Sequence, residues 1–230
     1  MNFPNEKAEI NTNKIERSFT YDNKVMLNLD IEYPSIILKN SVVQTRINLH
    51  YNNVAKNFQR YAVKTLFPQA IEQYKYSQEN GFPFFPYDAV LRYTVTLNGS
   101  CTLSTYFDRY EYTGGAHGNT IRTSDNWQLQ TGKRIRLQDL FENPINCREI
   151  VIKEITEQAE KNILENPGIY FDDYKKLIVE TFNPQSFNLT TDSLLLYYQQ
   201  YDIAPYASGI IVFTLPYEEV GIKKPHCFVI

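Results

Sequence analysis

Residues 15–36, IERSFTYDNKVMLNLDIEYPSI, alternate apolar and polar side chains on both sides of Asp22-Asn23. A period of two marks strands with one buried face, and an Asx pair between two such runs marks a tight turn. The stretch therefore reads as a β-hairpin with Val25, Leu27, Leu29 and Ile31 on its inner face. Upstream, residues 1–14 (MNFPNEKAEINTNK) are polar and without period. They read as a loosely held leader, with the fold beginning near Ile15.

Downstream the period changes. Ser41-Val42-Val43-Gln44 has the spacing of a capping box, and Val43, Ile47, Val54, Phe58, Tyr61 and Leu66 recur at helical intervals. One long helix is predicted, ended by GFPFFP at residues 81–86, whose two prolines continue neither a helix nor a central ladder. A meander follows. Its faces Leu91-Tyr93-Val95-Leu97 and Cys101-Leu103-Thr105-Phe107 match best with a three-residue loop closing at Gly99, which sets Val95 opposite Cys101 and turns Cys101 inward. Thr131-Gly132 reads as a further hairpin turn.

Asn143-Pro144 reads as a helix start, followed by Val151, Ile155, Ala159 and Ile163 on one face. A shorter helix is expected in YFDDYKKLIVETF, residues 170–182, and strands return at residues 186–203 and 209–217. This order implies an α+β fold of mainly antiparallel sheets, with one long N-terminal helix and two C-terminal helices. Two closely packed subdomains are expected, over residues 15–125 and 126–230, with the boundary between Asn119 and Leu140.

Composition removes several function classes. The net charge of −3, with Lys and Arg scattered among acids, offers no concentrated basic surface for nucleic acid. No 18-residue apolar run and no charged-then-apolar start are present, so neither a membrane span nor a secretion signal is read. Cys101, Cys147 and Cys227 are too few and too irregular for a disulfide framework, and no CxxC pair suggests zinc or redox chemistry. One thiol must stay free. The C-terminal CFVI has the form of a prenylation signal but reads more simply as the end of a terminal strand.

YEYTGGAHGNT, residues 110–120, gathers three of the nine glycines and one of the three histidines. Gly114, Gly115 and Gly118 suit a tight connection or a phosphate cradle, yet no helix pattern starts at Gly118 to complete a phosphate site. His117 with Asp108 or Glu111 could serve a hydrolase as general base, although Asp-x2-Glu-x5-His is no recognised metal-ligand spacing. Cys101 with His117 fails as a thiol nucleophile because the register buries Cys101. Asp172-Asp173 and Glu218-Glu219 read as a helix start and a terminal turn. No catalytic set, metal or cofactor is expected. Eighteen Tyr and fourteen Phe are the unusual feature, and tyrosine supplies contact area at little entropic cost.

Tyr112–Gly118 (YTGGAHG) and Tyr201–Gly209 (YDIAPYASG) together resemble two motifs of the extracytoplasmic domain of RsiV-type anti-sigma factors, in the same order. The resemblance spans about residues 15–220; its first part is similar to the module ahead of the catalytic domain in PdaC peptidoglycan deacetylases, and its second to a family of unknown function. No sigma-binding segment, membrane span or deacetylase domain is recognised alongside it. The resemblance implies an α+β module of the bacterial cell envelope, outside the cytoplasmic membrane. In the RsiV family this region recognises lysozyme and so controls release of a sigma factor. The expectation is a non-catalytic binding or sensing module for lysozyme or a cell-wall glycan, with Tyr110, Tyr112, His117, Tyr201 and Tyr206 as candidate ligand-binding residues. The alternative is an envelope hydrolase using His117.

Overall fold

The computed structural model describes residues 6–227. The fold is α+β, with a six-stranded sheet in the order β1-β2-β3-β4-β5-β6 and a three-stranded sheet in the order β7-β8-β9. The elements are β1 (Glu9–Tyr21), β2 (Lys24–Ile37), α1 (Ser41–Tyr61), α2 (Phe67–Asn80), β3 (Tyr87–Gly99), β4 (Thr102–Tyr112) and β5 (Asn119–Gln128). They continue with β6 (Lys133–Arg134), α3 (Cys147–Glu165), α4 (Tyr174–Glu180), β7 (Phe187–Leu189), β8 (Ser193–Tyr198), β9 (Ile211–Pro216) and α5 (Tyr217–Val220). Two compact units emerge, one of residues 9–93 and 107–121, the other, within the described residues, of 6–8, 94–106 and 122–227. They interleave along the chain. The chain crosses between them at 8/9, 93/94, 106/107 and 121/122.

In the first unit the hairpin forms as its sequence dictates. Asp22 and Asn23 take φ of 50° and 57°, the left-handed pair of a two-residue hairpin turn, which Asx residues tolerate. Pairing then slips by one residue: Phe19 faces Leu27 while Thr20 faces Val25, so Met26 is the extra residue of a bulge. Met26 is consequently buried beside Leu27, and Val25, expected on the inner face, is exposed. The strand β1 begins at Glu9 and pairs from there with Ile37, so residues 9–14 belong to the sheet rather than to a leader.

The helix is capped one residue earlier than the capping-box spacing suggests. Asn40 accepts from the backbone N–H groups of Val42 and Val43, and Gln44 reaches back to the Leu38 N–H. Val43, Ile47, Tyr51, Ala55 and Phe58 are buried, and α1 packs on β2. Asn48 fixes that packing, accepting from the Ile36 N–H at 2.7 Å and donating to the Ile36 carbonyl at 2.9 Å. Helical backbone runs on through a π-helical turn at Ala62–Leu66 into α2, and ends at Gly81 in the left-handed conformation. Pro68 explains the widened turn, because its ring cannot fit against the carbonyl of an ordinary preceding turn. The connection is long enough to return β3 parallel to β2, an exception in a mainly antiparallel architecture.

The second unit holds the C-terminal helices and the small sheet. Val151, Ile155 and Ala159 of α3 pack with Phe187, Leu194, Leu196, Phe213 and Leu215 in one core. Asn143 caps a 3-10 turn, Pro144–Asn146, accepting from the Ile145 N–H, and α3 starts only after it, at Cys147. Beside the core lies a buried polar network. Ser104 of β4 donates to Asn126 of β5 at 2.6 Å and accepts from the Leu189 N–H of β7 at 2.9 Å. Asn188 donates to the Thr105 carbonyl at 2.9 Å and accepts from the Ser124 hydroxyl at 2.8 Å. Each of these groups would otherwise be buried without a partner.

The β3–β4 turn and the cysteines depart from expectation. The turn is Ser100-Cys101, with φ of 51° and 55°, not a loop closing at Gly99. The Asn98 amide is occupied elsewhere, accepting from the Ala8 N–H at 3.0 Å and donating to the Ala8 carbonyl at 2.8 Å. Cys101 is buried as expected, but at a turn and in a disulfide with Cys227, 126 residues away; Cys147 is the free thiol. Residues 222–227 are neither strand nor helix, which corrects the terminal-strand reading there; residues 228–230 lie outside the described residues.

Tyr198 and Tyr217 are buried, and donate to the carbonyls of Ile178 and Thr190 respectively. Burial pushes both phenols well above the ordinary tyrosine range. The folded state therefore holds these two protons more tightly than the unfolded state. Their contribution is complete below the unfolded pKa and is lost as pH rises above about 10. Urea unfolding followed from neutral pH to about pH 11 is expected to show stability falling over this range, and Tyr198→Phe is expected to flatten the fall.

Candidate functional site

The glycine-rich segment connects β4, ending at Tyr112, to β5, starting at Asn119. Gly114 and Gly115 take φ of 90° and 92°, a region that side chains rarely enter. Gly118 serves differently: a Cβ there would lie 2.4 Å from the Tyr110 ring and 2.6 Å from the Glu111 carbonyl oxygen. The loop thus folds back onto its own preceding strand. The Tyr112 hydroxyl donates to the Gly115 carbonyl at 3.1 Å, and His117 Nδ1 lies 3.1 Å from the Gly118 carbonyl, with the imidazole exposed.

Of the two carboxylates expected to work with His117, Asp108 and Glu111, the second is held by other groups. Glu111 accepts from the Tyr61 hydroxyl at 3.0 Å and from Arg109 Nε at 2.6 Å. Arg109 in turn lies over the Tyr61 ring, 4.8 Å from its centroid. Burial, reinforced by the hydrogen bond to Glu111, pushes the Tyr61 phenol up. These contacts fix the end of β4 against α1. Among the described residues no group of three His, Cys, Asp or Glu side chains could hold a metal ion.

The second motif forms a built turn in the other unit. The Gln199 N–H donates to the Asp202 carboxylate at 2.7 Å, and Ile203 and Ala204 are buried just beyond it. Burial pushes the Asp202 carboxyl above its ordinary range, opposed by that backbone hydrogen bond. Tyr201 is thereby held at φ 67°, a conformation costing a non-glycine residue about 1 kcal/mol. Its ring is 53% exposed and lies 5.9 Å from that of Tyr206. An exposed aromatic kept in a strained conformation is a recognised mark of a functional position. The five candidates therefore divide: Tyr110, Tyr112 and His117 belong to one unit, Tyr201 and Tyr206 to the other.

The aromatic-rich stretch GFPFFPYDAVLRY, residues 81–93, which also breaks the helix, contributes a further aromatic surface in the first unit. Tyr76, Phe82 and Phe85 are 53%, 55% and 57% exposed, and the Tyr76 and Phe82 rings approach to 6.2 Å. Next to them Phe84 packs on Tyr74, and Lys24 and Lys75 lie over the rings of Tyr74 and Tyr21. Pro83 and Pro86 keep this segment out of a strand, so its rings are not paired into the sheet.

Comparison with known proteins divides the chain in sequence order, with residues 94–106 of the second unit inside the first match. Residues 20–120 match the family model described as deacetylase PdaC, and residues 138–218 match that described as protein of unknown function (DUF3298). The chain thus joins a PdaC-type segment to a DUF3298-type segment, as the resemblance of its motifs implied. A solved DUF3298 family member from Bacteroides fragilis is 18% identical, with a TM-score of 0.72 over 95% of this chain and 94% of that one. A DUF3298 family protein from Pseudomonas aeruginosa is also 18% identical, with a TM-score of 0.58 over 94% and 95% respectively. At that identity the likeness is one of fold. No curated protein matches the chain.

Proposed function

We propose that this chain is a non-catalytic binding or sensing module that works outside the cytoplasmic membrane of a bacterial envelope, with a lysozyme-type protein or a cell-wall glycan as ligand. The observation that carries the reading is three rings left more than half exposed, Tyr76, Phe82 and Phe85, the first two 6.2 Å apart. Clustered aromatic rings with flanking cations suit both a protein partner and the apolar faces of sugars. The disulfide supports an oxidising compartment. Among the described residues no helix is long and apolar enough to cross a membrane.

Calorimetric titration with lysozyme, and separately with soluble peptidoglycan fragments, tests the proposal. One of the two is expected to bind, and F82A/F85A is expected to weaken it by at least about tenfold without changing the unfolding midpoint. Absence of heat and of chemical-shift change with both ligands would sink the reading. Tyr201→Gly probes the second motif, since it relieves the left-handed strain while removing the ring.

A further inference from the structure

Within the unit of residues 94–106 and 122–230 lies a half-open cavity of about 540 Å³, a size usual for small-molecule sites. Its lining is mostly apolar, including Ile135, Leu140 and Pro225, and cations stand around it. Most of that charge is already matched. Arg134 is paired with Asp125 and lies over the Trp127 ring, Lys224 is paired with Glu218, and the lining carboxylate of Asp139 is clasped by Arg136. Lys133 and Lys223 also line the cavity, and among the described residues neither has a carboxylate within 4.0 Å. Two exposed lysines with no carboxylate partner among the described residues thus border a hollow whose surface is mostly apolar.

One wall of the cavity is the segment 223–226, which is held from outside rather than by secondary structure. The Lys223 N–H donates to the Leu140 carbonyl at 2.7 Å, and Gln128 Nε2 donates to the His226 carbonyl at 3.1 Å. The disulfide from Cys227 to Cys101 then closes the strap, and the Cys101 carbonyl accepts from the Leu129 N–H at 2.7 Å.

We propose that this cavity binds a small molecule with a single carboxylate and a short apolar body. Lys133 and Lys223 take the carboxylate, Leu140 and Pro225 cover the body, and the disulfide-tied strap keeps the wall in place. A phosphate dianion is a poorer fit than a single carboxylate for a hollow whose surface is mostly apolar. The inference does not rest on the aromatic surface, which belongs to the other unit.

Octanoate and its neutral counterpart octanamide are suitable probes, read by 1H–15N chemical shifts of the full chain. Octanoate is expected to shift amides near residues 133–140 and 223–226, and to bind at least about tenfold more tightly than octanamide. In K133Q/K223Q, which changes only exposed side chains, octanoate should bind no better than octanamide. A control pair on the exposed face of α3, K153Q/K161Q, should leave octanoate binding unchanged. Cleaving the disulfide with a reductant should abolish binding while the amide shifts of Val151 and Ile155 in the core persist. Equal affinity for acid and amide, unchanged octanoate binding in K133Q/K223Q, or no shift up to roughly 10 mM octanoate would each overturn the proposal.

Discussion

C101A/C227A is expected to lower the unfolding free energy by about 5 kcal/mol, the chain-entropy value for releasing a loop of this length. The two cysteines stand 126 residues apart, so their bond withdraws most of the second unit's conformations from the unfolded ensemble. Alanine is the right replacement for Cys101, which is buried and would leave a serine hydroxyl without water. Domains commonly have about 5–15 kcal/mol in all, so the variant should sit near the edge of folding. Urea unfolding of the variant, and of the parent with and without reductant, measures the effect. A loss below about 1 kcal/mol would remove the bond from any account of stability.

Asn188→Leu is expected to cost about 3 kcal/mol or more, despite nearly conserving volume. The Asn188 side chain is buried and donates to the Thr105 carbonyl and to Ser104 Oγ while accepting from Ser124. Leucine takes one hydrogen bond from each of the other three, and Ser104 keeps only Asn126, Thr96 and the Leu189 N–H, Ser124 only Tyr197. Ser104→Ala in the same background should be strongly non-additive, because the two residues share one network. Unfolding free energies for the two single variants and the double variant close the cycle. Additivity within about 0.5 kcal/mol would mean that the network is a set of independent bonds.

Local signals in the sequence were reliable where nothing distant competed with them. Asp22-Asn23 had only its own strands to satisfy, and it forms the turn its residues favour. Asn98-Gly99 is an equally strong local signal, yet Asn98 serves the Ala8 backbone and the turn moves to Ser100-Cys101, where the disulfide is anchored. Which two of three cysteines pair was beyond any spacing rule, because the partners meet only after the whole chain has folded. The helix was legible in type and in its end at Gly81, but not in the widened turn at Ala62–Leu66 that carries it past a proline.

The same holds for the candidate site. The ends of the glycine-rich connection, at Tyr112 and Asn119, could be read from the sequence because glycines and strand periods are local features. The exposure of the aromatic cluster at residues 81–93 could not. Tyr51, Tyr198 and Tyr217 are fully buried while Tyr76, Phe82 and Phe85 are exposed, and composition treats all six alike. The separating signal is the pair of prolines beside the phenylalanines, which denies those rings a place in the sheet.

The bulge at Met26 also bears on how chains of this fold diverge. The residues on either side of it, Val25 and Leu27, already hold the faces that an uninterrupted strand would give them. Deleting Met26 would therefore restore regular pairing without turning the rest of the hairpin over, at the expense of one buried side chain. Insertions and deletions are normally confined to surface loops. Here a one-residue gap in an alignment of homologues can fall in the middle of a strand and leave the architecture unchanged.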